Sequence, residues 1–446
     1  MAERPSETNE IYRTMDLALR IGELLLSSGA GAADVAAQMD NVAQACGLRG
    51  TSTDVTFTEL AMSHQARVDE PALIQLRQVR YRQVDFGHLT EVDRLVRDLA
   101  AERVTRDEAS IRLKKIVSSG HSRPRWSVTL GQGLVGAGVG MVLGGDWVVI
   151  GIALVGAVGV DLIQRRMSSR RWPVFYQQVA GGLFATLLAA GVAKTGLDVA
   201  PSRVITASIV LLLAGVSFLG AVQDALTGFP LTSGARILEA VIATAGAIAG
   251  VSGGLTLARV LNIGLGTLDP GAVRFAELPM LTLGGALTAA AYAFASYVPY
   301  RAILPIAFIG ALAMTVYYLA AHHRVGTNWA SGVAAVVIGL VSWVISGRAR
   351  VPALVVVTTA IVPLLPGLSI YRGLALFGAG NSNGLLALAN AAAILIALSS
   401  GVLLGQYIAQ PLKREARRLE SRLSGPRLVG PLSVRTGRRR RRKRPS

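Results

Sequence analysis

One cysteine in 446 residues excludes an internal disulfide, and the apolar helical pattern around Cys46 makes it a buried structural thiol rather than a reactive one. Charge is scarce as well. Only 16% of residues are charged against 52% hydrophobic, the mean hydropathy is positive, and just seven acids fall between positions 127 and 410. Such a chain is too apolar to be soluble throughout. Its opening residues lack the pattern of a cleaved secretory signal, so the first membrane helix is expected to direct insertion. A phosphate-cradling glycine loop with lysine is missing, which argues against ATP-driven transport by this chain alone. His322 and His323 stand beside Arg324 without a carboxylate or cysteine at ligand spacing, so neither a metal site nor a cofactor is read.

The net charge of +18 resembles a nucleic-acid signal until it is divided by region. Residues 1–126 carry 17 basic and 18 acidic residues, 127–410 carry 14 and 7, and 411–446 carry 14 and 2. The run Arg438 to Arg442, Lys443, Arg444 has no apolar partners. Residues 411–446 therefore read as a disordered basic tail, held in the cytoplasm beside anionic lipid. No aromatic stacking residues or recognition element accompany it, and no nucleic-acid partner is expected.

Residues 1–125 read as a cytoplasmic α+β domain. Apolar residues recur at helical spacing over 11–27, 32–46, 89–101 and 106–117, while 51–60 and 73–79 alternate as half-buried strands do. From Trp126 apolar stretches of spanning length follow one another to Gln410. Spans are expected near 127–144, 147–163, 174–193, 203–223, 236–258, 278–297, 302–320, 328–346, 352–371 and 385–408, giving an α-helical polytopic membrane protein of about ten helices. With the N-terminal domain inside, twelve Lys and Arg in short loops and flanks fall on the cytoplasmic side and six on the other. Both termini are then cytoplasmic.

The polar stretch Asn262–Glu277 divides the membrane part into halves, 126–261 and 262–410, of five helices each. An odd number per half implies opposite orientations, the inverted repeat of many secondary transporters, with sites on broken helices near the midplane. The fourth span of each half carries the interrupting residues. The first ends in Gln223, Asp224, Thr227, Gly228 and Pro230; the second holds Pro363, Pro366 and Gly367 within an apolar run. Proline frees backbone carbonyls, which in lipid must face protein, water or ligand; simple kinks are the alternative. Asp224 and Glu239, with Arg236 between them, could bind a substrate ammonium, a proton or a carboxylate, or form a structural cluster closing the hairpin. Tyr371, Arg372 and Asn381 after the second break, and Gln177 with Gln178 in the third span, would suit a small polar ligand or interhelical hydrogen bonds. Asp161, one turn from Arg165, reads as a surface ion pair.

These residues carry a resemblance. The stretch Gly22 to Gly31 followed by Asp34 and Val35, the segment Ala221 to Thr232 with Arg236 and Glu239, and Ile361 to Leu368 with Tyr371 and Arg372 are similar to motifs of the threonine/serine exporter family of bacterial inner-membrane proteins. The resemblance implies a proton-driven exporter of small hydroxy amino acids, threonine and serine, in the cell membrane. Related two-chain systems associated with dicarboxylate export keep succinate open as an alternative substrate, and a passive channel is the other alternative. Glu23, Asp34 and Asp54 lack a histidine or nucleophile at recognisable spacing, so the chain is not read as an enzyme and the soluble domain is expected to regulate or scaffold. Expected partners are the amino-acid substrate, protons and the bilayer; a homo-oligomer is compatible with the sequence.

Overall fold

The computed structural model describes residues 5–67, 69–79, 82–195, 197, 199–210, 212, 215–263, 278–323, 326–378 and 381–423. Asp198, Asp269, Glu277 and Arg324 lie outside the described residues, as do 424–446 of the expected tail.

The N-terminal part folds as α1 (Pro5–Ser27), α2 (Ala32–Ala45), β1 (Thr51–Val55), β2 (Glu59–His64), β3 (Leu73–Gln78), α3 (Phe86–Ala100) and α4 (Arg106–Ser118). The sheet is antiparallel in the order β1-β2-β3, with His64 opposite both Thr51 and Leu73. The single strand expected over 51–60 is thus two. Thr56 turns the chain by donating both its N–H and its hydroxyl to the Glu59 carbonyl, at 2.9 and 3.1 Å, so Leu60 pairs back on Val55. Val55, Leu60 and Met62 bury one face of the sheet in a core shared with Ile21, Leu25 and Met39. A Cβ on Gly22 would lie 2.5 Å from the Met39 sulfur, so the Met39 side chain of α2 packs directly onto the bare backbone of α1 there. Thr105 and Glu108 form a reciprocal cap that starts α4.

Beyond Pro124 the chain is helical: α5 (Arg125–Val142), α6 (Trp147–Ser169), α7 (Val174–Lys194), α8 (Pro201–Ile209), α9 (Gly215–Leu226), α10 (Pro230–Val260), α11 (Leu278–Ala295), α12 (Tyr300–His322), α13 (Thr327–Ala349), α14 (Ala353–Ala360), a 3-10 turn Val362–Leu364, α15 (Gly367–Gly378) and α16 (Asn383–Leu423). Among the described residues seven helices, α6, α7, α10, α11, α12, α13 and α16, are long and apolar enough to cross a membrane. Helix α16 continues to Leu423, so the first residues of the expected disordered tail are helical.

The packing before residue 264 repeats after residue 277. Helix α5 packs on α6, α6 on α7, α7 on α10 and α9 on α10; equally α11 packs on α12, α12 on α13, α13 on α16 and α15 on α16. Contacts between the two sets obey the same exchange, since α9 packs on α16, α15 on α10, and α5 on its own counterpart α11. Glycines permit the closest pairs in both sets. A Cβ on Gly250 of α10 would overlap the Val179 carbonyl oxygen of α7, and one on Gly405 of α16 would overlap that of Val336 on α13.

Both interruptions fall at corresponding places, between α8 and α9 and between α14 and α15. In the second set the residues are the expected Pro363, Pro366 and Gly367. In the first they are not. Gln223 and Asp224 lie within continuous α9, Gly228 (φ 94°) turns the chain, and Pro230 opens α10. Proline at a first helical position loses no hydrogen bond, so Pro230 starts a helix rather than breaking one.

Candidate functional site

A cavity of about 670 Å³ opens between the N-terminal part and helices α5, α6, α9 and α11. That volume is typical of small-molecule sites, which span roughly 300–1,000 Å³. Two antiparallel stripes form its walls, Arg125, Val128, Gln132 and Gly136 on α5 against Ala157, Asp161, Gln164 and Ser168 on α6. One end is polar and cationic, where Arg165 donates to the Arg125 carbonyl at 2.9 Å; Arg82 and Gln83 of the β3–α3 segment also line the cavity. The other end lies eleven residues along α5, about 16 Å at helical rise, where Gly136 meets Ala157. There Ser208, Val210, Leu212 and Gly215, which flank the first interruption, meet Leu365 of the second. A Cβ on Gly215 would sit 3.2 Å from the Leu365 methyls, so the two interruptions touch. Asp161 is the one carboxylate among the described lining residues, paired with Arg165 at 3.0 Å.

The N-terminal part is fastened beside this cavity at two points. At the first, Asp224 is 1% exposed and accepts the Ala32 N–H at 2.9 Å, supplying the N-terminus of α2 with the cap that its own Gly31 lacks. Arg236 pairs with Asp224 at 3.2 Å and donates to the Ala30 carbonyl at 2.9 Å, while the Thr232 hydroxyl donates to the Val55 carbonyl at 3.0 Å. At the second, Asp85 caps α3 through the His88 N–H and meets His121 Nδ1 at 2.7 Å, and the Phe86 N–H donates to the Ser296 carbonyl after α11. His121 stacks on Tyr297, 4.6 Å between centroids. Arg123, 5% exposed, donates to the Phe294 and Val298 carbonyls and so neutralises the C-terminal end of α11.

The family model described as "Putative threonine/serine exporter" matches residues 16–258, and the one described as "Threonine/Serine exporter, ThrE" matches residues 282–408. The chain is 35% identical over 430 residues to the "Probable threonine/serine exporter" of Mycobacterium tuberculosis, across 93% of this chain and 80% of that protein. It is 32% identical over 421 residues to the "Threonine/serine exporter" of Corynebacterium glutamicum, across 92% and 86%. The chain belongs to the threonine/serine exporter family. No solved structure matches it. As a member of this exporter family it is a membrane transporter and not an enzyme.

Of the candidate site residues singled out in the sequence, only Gln177 lines the cavity, and its amide donates to the Trp172 carbonyl at 2.8 Å. Asp224 and Arg236 belong to the docking contact; the Thr227 hydroxyl, just past the end of α9, bonds back to the Gln223 carbonyl; Glu239 is exposed on α10. Pro363, Pro366 and Gly367 are buried at the second interruption, next to the Leu365 that reaches the cavity. Arg372 lies half-buried on α15, which also includes the backbone of Tyr371, whose side chain lies outside the described residues. Asn381 is exposed, and its side chain accepts the Asn383 N–H at the start of α16. The cavity residues that sequence reasoning passed over are Gln132, Gln164, Ser208, Ser217 and Arg82, while Asp161, read as an ion pair with Arg165, makes that pair on the cavity wall. One signal was present for Asp161, since few acids occur in the apolar region.

Proposed function

We propose that this chain is a proton-coupled secondary exporter of threonine and serine in the bacterial cell membrane. Ten crossings, α5, α6, α7, α8–α9 and α10 followed by α11, α12, α13, α14–α15 and α16, make two inverted halves, with the N-terminal α+β domain and both termini in the cytoplasm. The matched packing of the two sets of helices supports the repeat, and the names of the two relatives support the substrates.

The observation that carries the reading is the cavity that ends where the two interrupted helices touch. A helix interrupted in lipid leaves backbone N–H and C=O groups that a polar ligand can satisfy, and such breaks mark the substrate site of repeat-built transporters. The cavity reaches the membrane part from the side of the N-terminal domain, which is the face an export substrate meets first. Asp161 is its counter-charge for a substrate ammonium or a proton, with Arg165 as resting partner. Asp224 and Arg236 hold the cytoplasmic domain.

Flux of threonine, serine and succinate in liposomes carrying the purified protein tests this. Threonine and serine should move, faster under an imposed pH gradient, and Asp161→Asn should remove the acceleration. Flux indifferent to the gradient would leave a passive pore, and a preference for succinate would assign the dicarboxylate alternative.

A further inference from the structure

Arg82 belongs to the N-terminal domain by sequence and to the cavity by position. Its segment is fixed, because the Gln83 N–H donates to the Ser27 carbonyl at 2.9 Å and the Asp85 N–H to that of Ser28 at 3.4 Å. The guanidinium carbon lies 3.5 Å from the centroid of the Phe57 ring, which orients the group. Yet the fork is not saturated. Nη2 is buried without a hydrogen-bond partner, and no ion pair joins Arg82 to a carboxylate among the described residues. Burial pushes its pKa down to about 10, Arg236 adds to the fall, and Glu239 and Asp224 oppose it from a distance. The group therefore remains a cation at neutral pH, incompletely compensated. A buried donor left unmet costs stability, about 1–3 kcal/mol in general and more for a charged group, so a partner that arrives later gains by meeting it.

We propose that Arg82 receives the carboxylate of the transported amino acid, so that the cytoplasmic domain contributes directly to substrate recognition. The inference rests on the cavity being the transport path. A guanidinium matches a carboxylate through paired N–H donors, whereas an ammonium or hydroxyl gains nothing from it. A zwitterionic α-amino acid brings Arg82 a carboxylate, and an amino alcohol does not.

The test compares threonine with threoninol, which keeps the ammonium and the hydroxyl but has no carboxylate, in liposomes carrying full-length wild type, Arg82→Lys, Arg82→Gln and Ser217→Trp. Threonine KM is read from flux, threoninol affinity from its competition with threonine, and the melting temperature is measured for each protein. Arg82→Gln should raise the threonine KM about ten- to a hundred-fold, as loss of a charge-assisted contact does, while threoninol competes as before. Arg82→Lys, which keeps the charge and loses the fork, should fall between. An unchanged threonine KM in Arg82→Gln, or equal weakening of threonine and threoninol, would overturn the assignment, the second outcome marking an arginine that only holds Phe57 and the domain. Ser217 lines the cavity and is exposed, so a tryptophan there fills it without overpacking the helices. Blocked flux in Ser217→Trp with an unchanged KM in Arg82→Gln refutes the role of Arg82 alone. Normal flux in Ser217→Trp removes the transport path and this inference with it.

Discussion

Replacing Asp224 by asparagine separates docking from transport chemistry. The asparagine carbonyl can still accept the Ala32 N–H, so the cap on α2 persists; what disappears is the charge facing Arg236. Breaking a buried pair by removing one partner costs about 3–5 kcal/mol. Arg236 keeps its bond to the Ala30 carbonyl, which places Asp224→Asn near the lower end, about 3 kcal/mol. Asp224→Ala also loses the cap, worth about 1 kcal/mol more. In Arg236→Gln the carboxylate stays behind at 2% side-chain exposure, so that variant should sit near the upper end of the range. The double variant Asp224→Asn with Arg236→Gln leaves two neutral groups and should recover at least about 1 kcal/mol of the summed loss, the size expected for directly coupled residues. Thermal unfolding in detergent reads the stabilities, and hydrogen exchange at Ala32 and in the first turn of α2 reads the docking. Full stability with undisturbed exchange in Asp224→Asn, together with abolished flux, would refute docking and make Asp224 a substrate or proton site.

Gly250→Val and Gly405→Val place side-chain atoms where the Val179 and Val336 carbonyls lie; each should cost about 1–3 kcal/mol by overpacking, and similar drops in melting temperature for the two would support the equivalence of α10 and α16. Reporters fused after Arg170 and Lys413 should be cytoplasmic and one after Asp269 external, and a cytoplasmic Asp269 would sink the ten-crossing arrangement. Residues 1–120 expressed alone should fold, with α2 fraying at its N-terminus because Asp224 is absent; aggregated, protease-sensitive material would show that the domain depends on the membrane part.

The membrane helices were legible because spanning length and apolar composition are one-dimensional signals. Expected spans at 174–193, 278–297 and 302–320 fall within two residues of α7, α11 and α12 at either end. The first interruption was not legible. Val210 to Ala214 contains neither proline nor glycine, and the nearest irregular residues, Gly228 and Pro230, serve a turn and a helix start. On either side of the interruption, Ser208 meets Gly156 and Gly215 meets Leu365, contacts that no local sequence mark announces. The hairpin of β1 and β2 escaped for a related reason: Thr56 and Thr58 continue the strand-like alternation across the turn, and the bonds from Thr56 to the Glu59 carbonyl carry no sequence mark.

The candidate residues read from the sequence and the residues lining the cavity differ for a reason that concerns charge in apolar surroundings. An acid at the end of a membrane helix must be compensated, and a ligand or a proton is the usual way for a transporter to do it. Here the compensation comes from another part of the chain: the first N–H of α2, 192 residues away, and Arg236. Two segments that each resemble the family, Gly22 to Gly31 with Asp34 and Ala221 to Arg236, therefore meet each other at one contact. The cavity carries weaker marks, because Gln132, Gln164 and Ser208 are ordinary in membrane helices, and Asp161 is masked by an arginine at helical spacing. Uncompensated polarity is the better guide to a binding surface. By that measure Arg82, half-buried on the cavity wall with an unmet Nη2 donor and no ion pair among the described residues, ranks above Asp224, whose charge faces Arg236 and whose Oδ1 accepts the Ala32 N–H, although its Oδ2 also lacks a hydrogen bond.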